Sequence, residues 1–72
     1  MPYRTNVDLP AAIREHLPTH AQDIFRNAYN NAWKHYQFEG DRREEIAHRV
    51  AWAAVKKKYR KMEGHWLAKD KV

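Results

Sequence analysis

From Asp41 to about Met62 the chain carries apolar residues on two adjoining flanks of one helical wheel, a pattern few folds of this size can satisfy. Ile46, Ala47, Val50, Ala51 and Ala54 form one stripe, and Trp52, Val55, Tyr59 and Met62 form another beside it. Together they cover well over half the circumference, so a helix here must be packed on two sides. Asp41-Arg42-Arg43-Glu44 has the form of a capping box, with Asp41 taking an orphan amide and Glu44 reaching back, and is expected to open it. All the cover has to come from a chain of 72 residues.

Pro10, Pro18 and the Gly40-Asp41 pair punctuate the chain into three helical stretches with extended ends. Asp8 is expected to cap a short first helix with Leu9-Pro10 at its opening, where proline sacrifices no needed hydrogen bond. Its apolar positions are Leu9, Ala12, Ile13 and Leu17, and Pro18 ends it by forcing the preceding residue out of helical geometry. Thr19-His20-Ala21-Gln22 forms a second capping box. From there to about Phe38, Ala21, Ile24, Phe25, Ala28, Tyr29, Ala32, Trp33 and Tyr36 fall on one half of the wheel. Asp23, Arg26, Asn27, Asn30, Lys34 and Gln37 fall on the other, which reads as an amphipathic helix. This helix is expected against the alanine-rich stripe of the third, with Ala28, Ala32, Ala47, Ala51 and Ala54 allowing close approach. The first helix and the chain ends are left to cover the aromatic stripe. Gly64 breaks the third helix, so that Trp66, with Tyr3 from the other end, folds back over that stripe as a short two-stranded pairing of the termini. The predicted fold is all-α: one small three-helix domain spanning residues 1–72, with extended N- and C-terminal segments.

So short a chain has little material left to wall a deep pocket. There is no cysteine and no serine, and no nucleophile lies beside a base. With two glycines there is no phosphate-binding loop. Glu44 and Glu45 are adjacent and point about 100° apart on a helix, in no apolar setting that would raise a carboxylate pKa. No catalytic residue and no cofactor are therefore expected. His16 and His20 have a spacing that would share a helix face, but Pro18 puts them in different elements; His35, His48 and His65 have no ligand-spaced partner. Glu39-Gly40-Asp41 offers two carboxylates where calcium takes six to eight oxygens, so no metal site is expected. The longest apolar run, residues 50–55, is far short of the ~20 residues of a membrane span. With no cysteine framework and no apolar leader at Met1-Pro2-Tyr3-Arg4-Thr5, a cytoplasmic protein is expected.

The net charge of +5 is unevenly placed. Residues 1–40 carry four basic and four acidic side chains; residues 41–72 carry ten basic and five acidic, so the whole excess lies in the second half. Arg42, Arg49 and Lys56 recur every seven residues and line one ridge, drifting about 20° per step. Arg60 extends it and Lys57 lies beside it. Lys57, Lys58 and Lys61 surround the helix end, where cations also favour the dipole. Arg42, Arg49, Lys56, Lys57, Arg60 and Lys61 are the candidate partner-binding residues. Two readings stay open: a solvated face that keeps a small domain soluble, and a surface for an anionic or acidic partner. Nucleic acid readers usually add exposed aromatics or amide side chains to their cations, and Trp52 and Tyr59 are better placed in the core.

Met1-Pro2-Tyr3-Arg4-Thr5-Asn6, Asp8-Leu9-Pro10 and Leu17-Pro18-Thr19-His20-Ala21-Gln22 resemble the opening of ChaB-family proteins. Ala28-Tyr29-Asn30-Asn31-Ala32-Trp33 and the block from Glu44 to Lys56 are similar to the two helical blocks of that family, and Trp66 matches its C-terminal tryptophan. The resemblance covers nearly the whole chain. It implies a non-enzymatic regulator of a sodium or calcium/proton antiporter, working by protein contact on the cytoplasmic face of the membrane. Some relatives are associated with DNA or RNA, which keeps a nucleic-acid-binding accessory role as the alternative, and an assembly factor that contacts only another chain is a third reading. The family brings no catalytic residues. Two departures stand out: a shorter connection around Gly40, and Arg60-Lys61-Met62-Glu63 where typical members carry an acidic stretch before the last tryptophan.

Overall fold

The structure, a computed structural model, describes residues 2–69. It has helices α1 (Ala11–His16), α2 (Thr19–His35) and α3 (Arg43–Lys58), then strands β1 (Tyr59–Met62) and β2 (His65–Ala68). Single 3-10 turns precede α1 at Asn6–Asp8 and α3 at Gly40–Arg42. This is the expected small three-helix domain with a two-stranded antiparallel sheet.

The centre of the molecule is the α2–α3 pair. From α2, Ala21, Phe25, Tyr29 and Ala32 are buried, and from α3, Ala47, Ala51 and Val55. The α3 line advances four residues at a time and continues into Tyr59, the first strand residue, also buried. Four of these buried residues, Ala21, Ala32, Ala47 and Ala51, are alanines, whose small side chains suit a close helix pair. Leu9, Ile13 and Leu17 close one side of the core from α1 and its approach. Burying one such aliphatic side chain stabilises the fold by about 1.5–3 kcal/mol.

Three local expectations are corrected. The third helix stops at Lys58 rather than Met62. The backbone from Tyr59 onward finds hydrogen-bond partners in β2, in the register Tyr59–Ala68, Arg60–Leu67, Lys61–Trp66 and Met62–His65. Strand alternation then sends Tyr59 inward and leaves Met62 41% exposed on the outer face. Glu63 and Gly64 join the strands with φ of +52° and +82°, and two consecutive positive φ values are what a tight two-residue hairpin turn needs. The sheet is thus the C-terminal segment folded on itself, not a pairing of the two termini. Val50, placed in the alanine stripe by periodicity, is 37% exposed beside a shallow groove along α2.

The capping residues also act differently. Asp8 accepts the Thr5 N–H (3.2 Å) and hydroxyl (3.4 Å) at the 3-10 turn, and α1 begins later, at Ala11. Thr19 is the first residue of α2, not its cap, and Gln22 donates backward to the Leu17 (2.8 Å) and Arg14 (3.3 Å) carbonyls at the end of α1. No side chain caps α3; its opening is the 3-10 turn, entered through Gly40 at φ +58°. Arg43 instead ties the two long helices together. Its Nε donates to the Trp33 carbonyl (2.7 Å), one of the acceptors left open at the end of α2, and its guanidinium lies 4.0 Å from the centre of the Trp33 ring.

The N-terminal segment runs along the polar face of α2. The Asn30 side chain accepts the Tyr3 N–H (2.8 Å) and donates to the Tyr3 carbonyl (2.7 Å), as a neighbouring strand would. Asn6 bridges Asp23 (2.7 Å) and Arg26 (2.8 Å), and Arg26 also reaches the Arg4 carbonyl (3.2 Å). The Tyr3 ring lies 4.8 Å from Tyr29, on α2 and not on the aromatic stripe of α3. A polar face that a helical wheel assigns to solvent is here the seat of an extended segment.

Candidate partner-binding site

Strand alternation and helix periodicity decide what the basic residues can reach. All six candidate residues, Arg42, Arg49, Lys56, Lys57, Arg60 and Lys61, are exposed, but they do not form one ridge. Arg42 sits in the 3-10 turn before α3. Arg49 pairs with Glu45 across one helical turn (3.2 Å), in a hollow shared with Asp41, Glu44 and His48. The first turns of α3 are therefore acidic and the last turn is Lys56-Lys57-Lys58, an arrangement that also suits the helix dipole. Lys56, Lys57, Arg60 and Lys61 are brought to one end of the molecule by the helix-to-strand junction. Among the described residues none of these four has an ion-pair partner.

That end holds a cleft of about 440 Å³ between three elements. Ala12, Ile13 and His16 line it from α1, Trp52 and Lys56 from α3, and Lys61 and Trp66 from the hairpin. Trp52 and Lys56 are one helical turn apart and so share a face. Lys61 and Trp66 are directly opposite in the antiparallel register. The two indole rings are 5.5 Å apart and inclined by 32°. Trp52 also packs edge-on against Phe25 (5.3 Å), which fixes its plane to the core, and its indole N–H donates to His48 Nε2 (2.9 Å). With that donor used, the polar side-chain groups lining the cleft are Lys56, Lys61, His16 and the Trp66 indole N–H. The arrangement can hold an apolar body against indole and isoleucine while placing ammonium groups beside any anion attached to it.

Reading the chain as a helix through Met62 hid this site, because it placed Trp52 wholly in the core and left Trp66 as a cover. The usable signal was local: a lysine one turn after Trp52, and a glycine two residues before Trp66. The histidines are dispersed, with His16 at the cleft, His20 beside Tyr59, His48 beside Trp52 and His35 beside Tyr36. No group of three His, Asp or Glu side chains converges among the described residues. Nor is any described helix long and apolar enough to cross a membrane.

Tyr29 is the titratable group most altered by the fold. Burial pushes its hydroxyl up to about 12 from an ordinary 10.0, with Tyr3 and the Glu44 carboxylate adding to the effect. It belongs to the core under the N-terminal segment, remote in function from the cleft.

The family model for ChaB matches residues 9–69. A protein of Escherichia coli named "Putative cation transport regulator ChaB" is 53% identical over 66 residues, covering 85% of this chain and 87% of its own. A protein of Shigella flexneri with the same name matches to the same extent. The solution NMR structure of a protein so named superposes with a TM-score of 0.83 at 49% identity, covering 94% of this chain and 99% of that one.

Proposed function

The chain belongs to the ChaB family, and on that premise we propose that it is a non-enzymatic regulator of cation transport that acts by contacting a protein. The observation that carries this reading is the 53% identity to relatives named for that regulation, running through both long helices. The finer reading is that the partner is a sodium or calcium/proton antiporter, met on its cytoplasmic face. Its support is chemical: among the described residues no three His, Asp or Glu side chains converge as a metal site would require, while the lysine-rich end offers a surface for contact. Lys56, Lys57, Arg60 and Lys61 carry it, while Arg49 is paired with Glu45 and Arg42 sits apart in the 3-10 turn before α3.

The test is cation/proton exchange in everted membrane vesicles from cells lacking this gene, measured before and after adding the purified chain. A changed sodium- or calcium-driven exchange rate is expected. Identical rates with both cations would reject the antiporter as partner.

The alternative, a nucleic-acid-binding accessory role, draws on the same four cations. Its mark is affinity for DNA or RNA that falls steeply with salt, because each neutralised phosphate releases counterions. Retention on nucleic acid at low salt that survives Lys56→Glu with Lys61→Glu would remove it.

A further inference from the structure

We propose that the cleft between α1, α3 and the hairpin is a docking site for an acidic segment of a partner protein. One large apolar side chain of that segment enters against Trp52, Trp66 and Ile13, and flanking carboxylates meet Lys56 and Lys61. This deepens the protein-contact reading above and rests on it.

Charge and shape both select this occupant. A volume of about 440 Å³ accepts one bulky side chain with its backbone, and the floor of the cleft is indole and aliphatic carbon. Lys56 and Lys61 come from different elements, a helix and a strand, and line the same hollow. Both are exposed, and neither has an ion-pair partner among the described residues. Two other hollows among the described residues do not repeat this combination. The hollow at the start of α3 is lined by Asp41, Glu44 and Glu45, and the groove along α2 by Ala28, Ala32, Tyr36 and Val50 with no lysine or arginine.

A nucleic acid fits the same cleft poorly. A phosphate backbone needs a continuous cationic track, and along α3 the cations give way to Asp41, Glu44 and Glu45. The lining holds no asparagine, glutamine or hydroxyl side chain to address a base edge. Trp52 and Trp66 lie together at 5.5 Å in a single hollow and make no track along which successive bases could stack.

The experiment titrates the full-length ¹⁵N-labelled chain with a blocked Glu-Glu-Phe-Glu-Glu peptide and follows the indole N–H signals of Trp52 and Trp66. Both signals are expected to shift together with the amides of Lys56 and Lys61. Replacing the peptide phenylalanine by alanine is expected to weaken binding about tenfold or more, as loss of a buried aromatic body would. Lys56→Glu with Lys61→Glu, both at exposed positions, is expected to weaken it at least about tenfold, as is raising salt to roughly 1 M, where screening acts within ~3 Å. An unchanged amide pattern elsewhere shows that the variant is folded. The proposal is overturned by indole signals that do not move up to the peptide's solubility limit. It is equally overturned by an affinity indifferent to the double reversal, or by a short oligothymidylate that moves the same signals at lower concentration. The vesicle assay separates the two readings. Silent indoles beside a retained effect on exchange discard the cleft alone, whereas peptide binding without any effect on exchange discards the regulator alone.

Discussion

The two extended ends of the chain both lay an aromatic ring on the central helix pair, and they do so by opposite means. At the N-terminus, Tyr3 meets Tyr29 at 4.8 Å and polar side chains hold the segment down: Asn30 on the Tyr3 backbone, and Asn6 between Asp23 and Arg26. At the C-terminus, Trp66 meets Trp52 at 5.5 Å, but the segment is held by pairing with itself, and the cations around it stay unmatched among the described residues. Charge and hydrogen-bonding capacity spent inside the chain serve the fold. Lys56, Lys57, Arg60 and Lys61 have no ion-pair partner among the described residues, and these are the cations proposed to meet a partner.

That contrast can be broken by substitution. The largest effect is expected from Asn30→Ala, which removes two hydrogen bonds and leaves the Tyr3 backbone without its partner. The loss is about 2 kcal/mol, a fall of roughly 10 °C in Tm for a domain of this size. Trp66→Ala strips a half-buried ring and should cost less, about 1.5 kcal/mol. Thermal melts that reverse this order would show the hairpin, not the N-terminal segment, to be the main clamp. Alkaline melting probes the same N-terminal seat. Above pH 10 the unfolded chain releases the Tyr29 proton, while the folded chain keeps it until about pH 12. Its contribution is therefore full below pH 10 and lost as pH rises toward 12. A Tyr29→Phe variant should show a shallower fall in Tm over that interval, and parallel curves would contradict the buried hydroxyl. The smallest effect belongs to the turn. Glu63 holds φ at +52°, a conformation asparagine tolerates better, so Glu63→Asn is expected to add about 0.5 kcal/mol, read as a slightly higher Tm.

Much of this architecture is legible in residue order. The two long helices, the burial of Ala32, Ala47 and Ala51 in the core and the stop at Pro18 follow from periodicity and proline geometry, while Ala28 and Ala54 are only partly buried and α3 ends earlier than expected. Two features escape for physical reasons. A helical wheel sorts side chains only by polarity, so Asn30, Asp23 and Arg26 look solvated when they are partners of a distant backbone. And residues 59–62 satisfy helical and strand patterns alike over so short a run; only the turn at Glu63-Gly64 and the pairing with His65–Ala68 decide for strand. The candidate site follows the second failure. Its cations were evident as a group, but the cleft exists only once the strand carries Lys61 and Trp66 back over α1 and α3.

The central claim is that the lysine-rich end does its work outside the chain and not within it. The direct measurement is the cation/proton exchange rate of everted vesicles supplied with wild-type protein or with the Lys56→Glu, Lys61→Glu variant, at a temperature where both are folded. The account predicts that wild-type protein changes the rate and that the variant leaves it at the value without added protein. A variant as effective as wild type would contradict it.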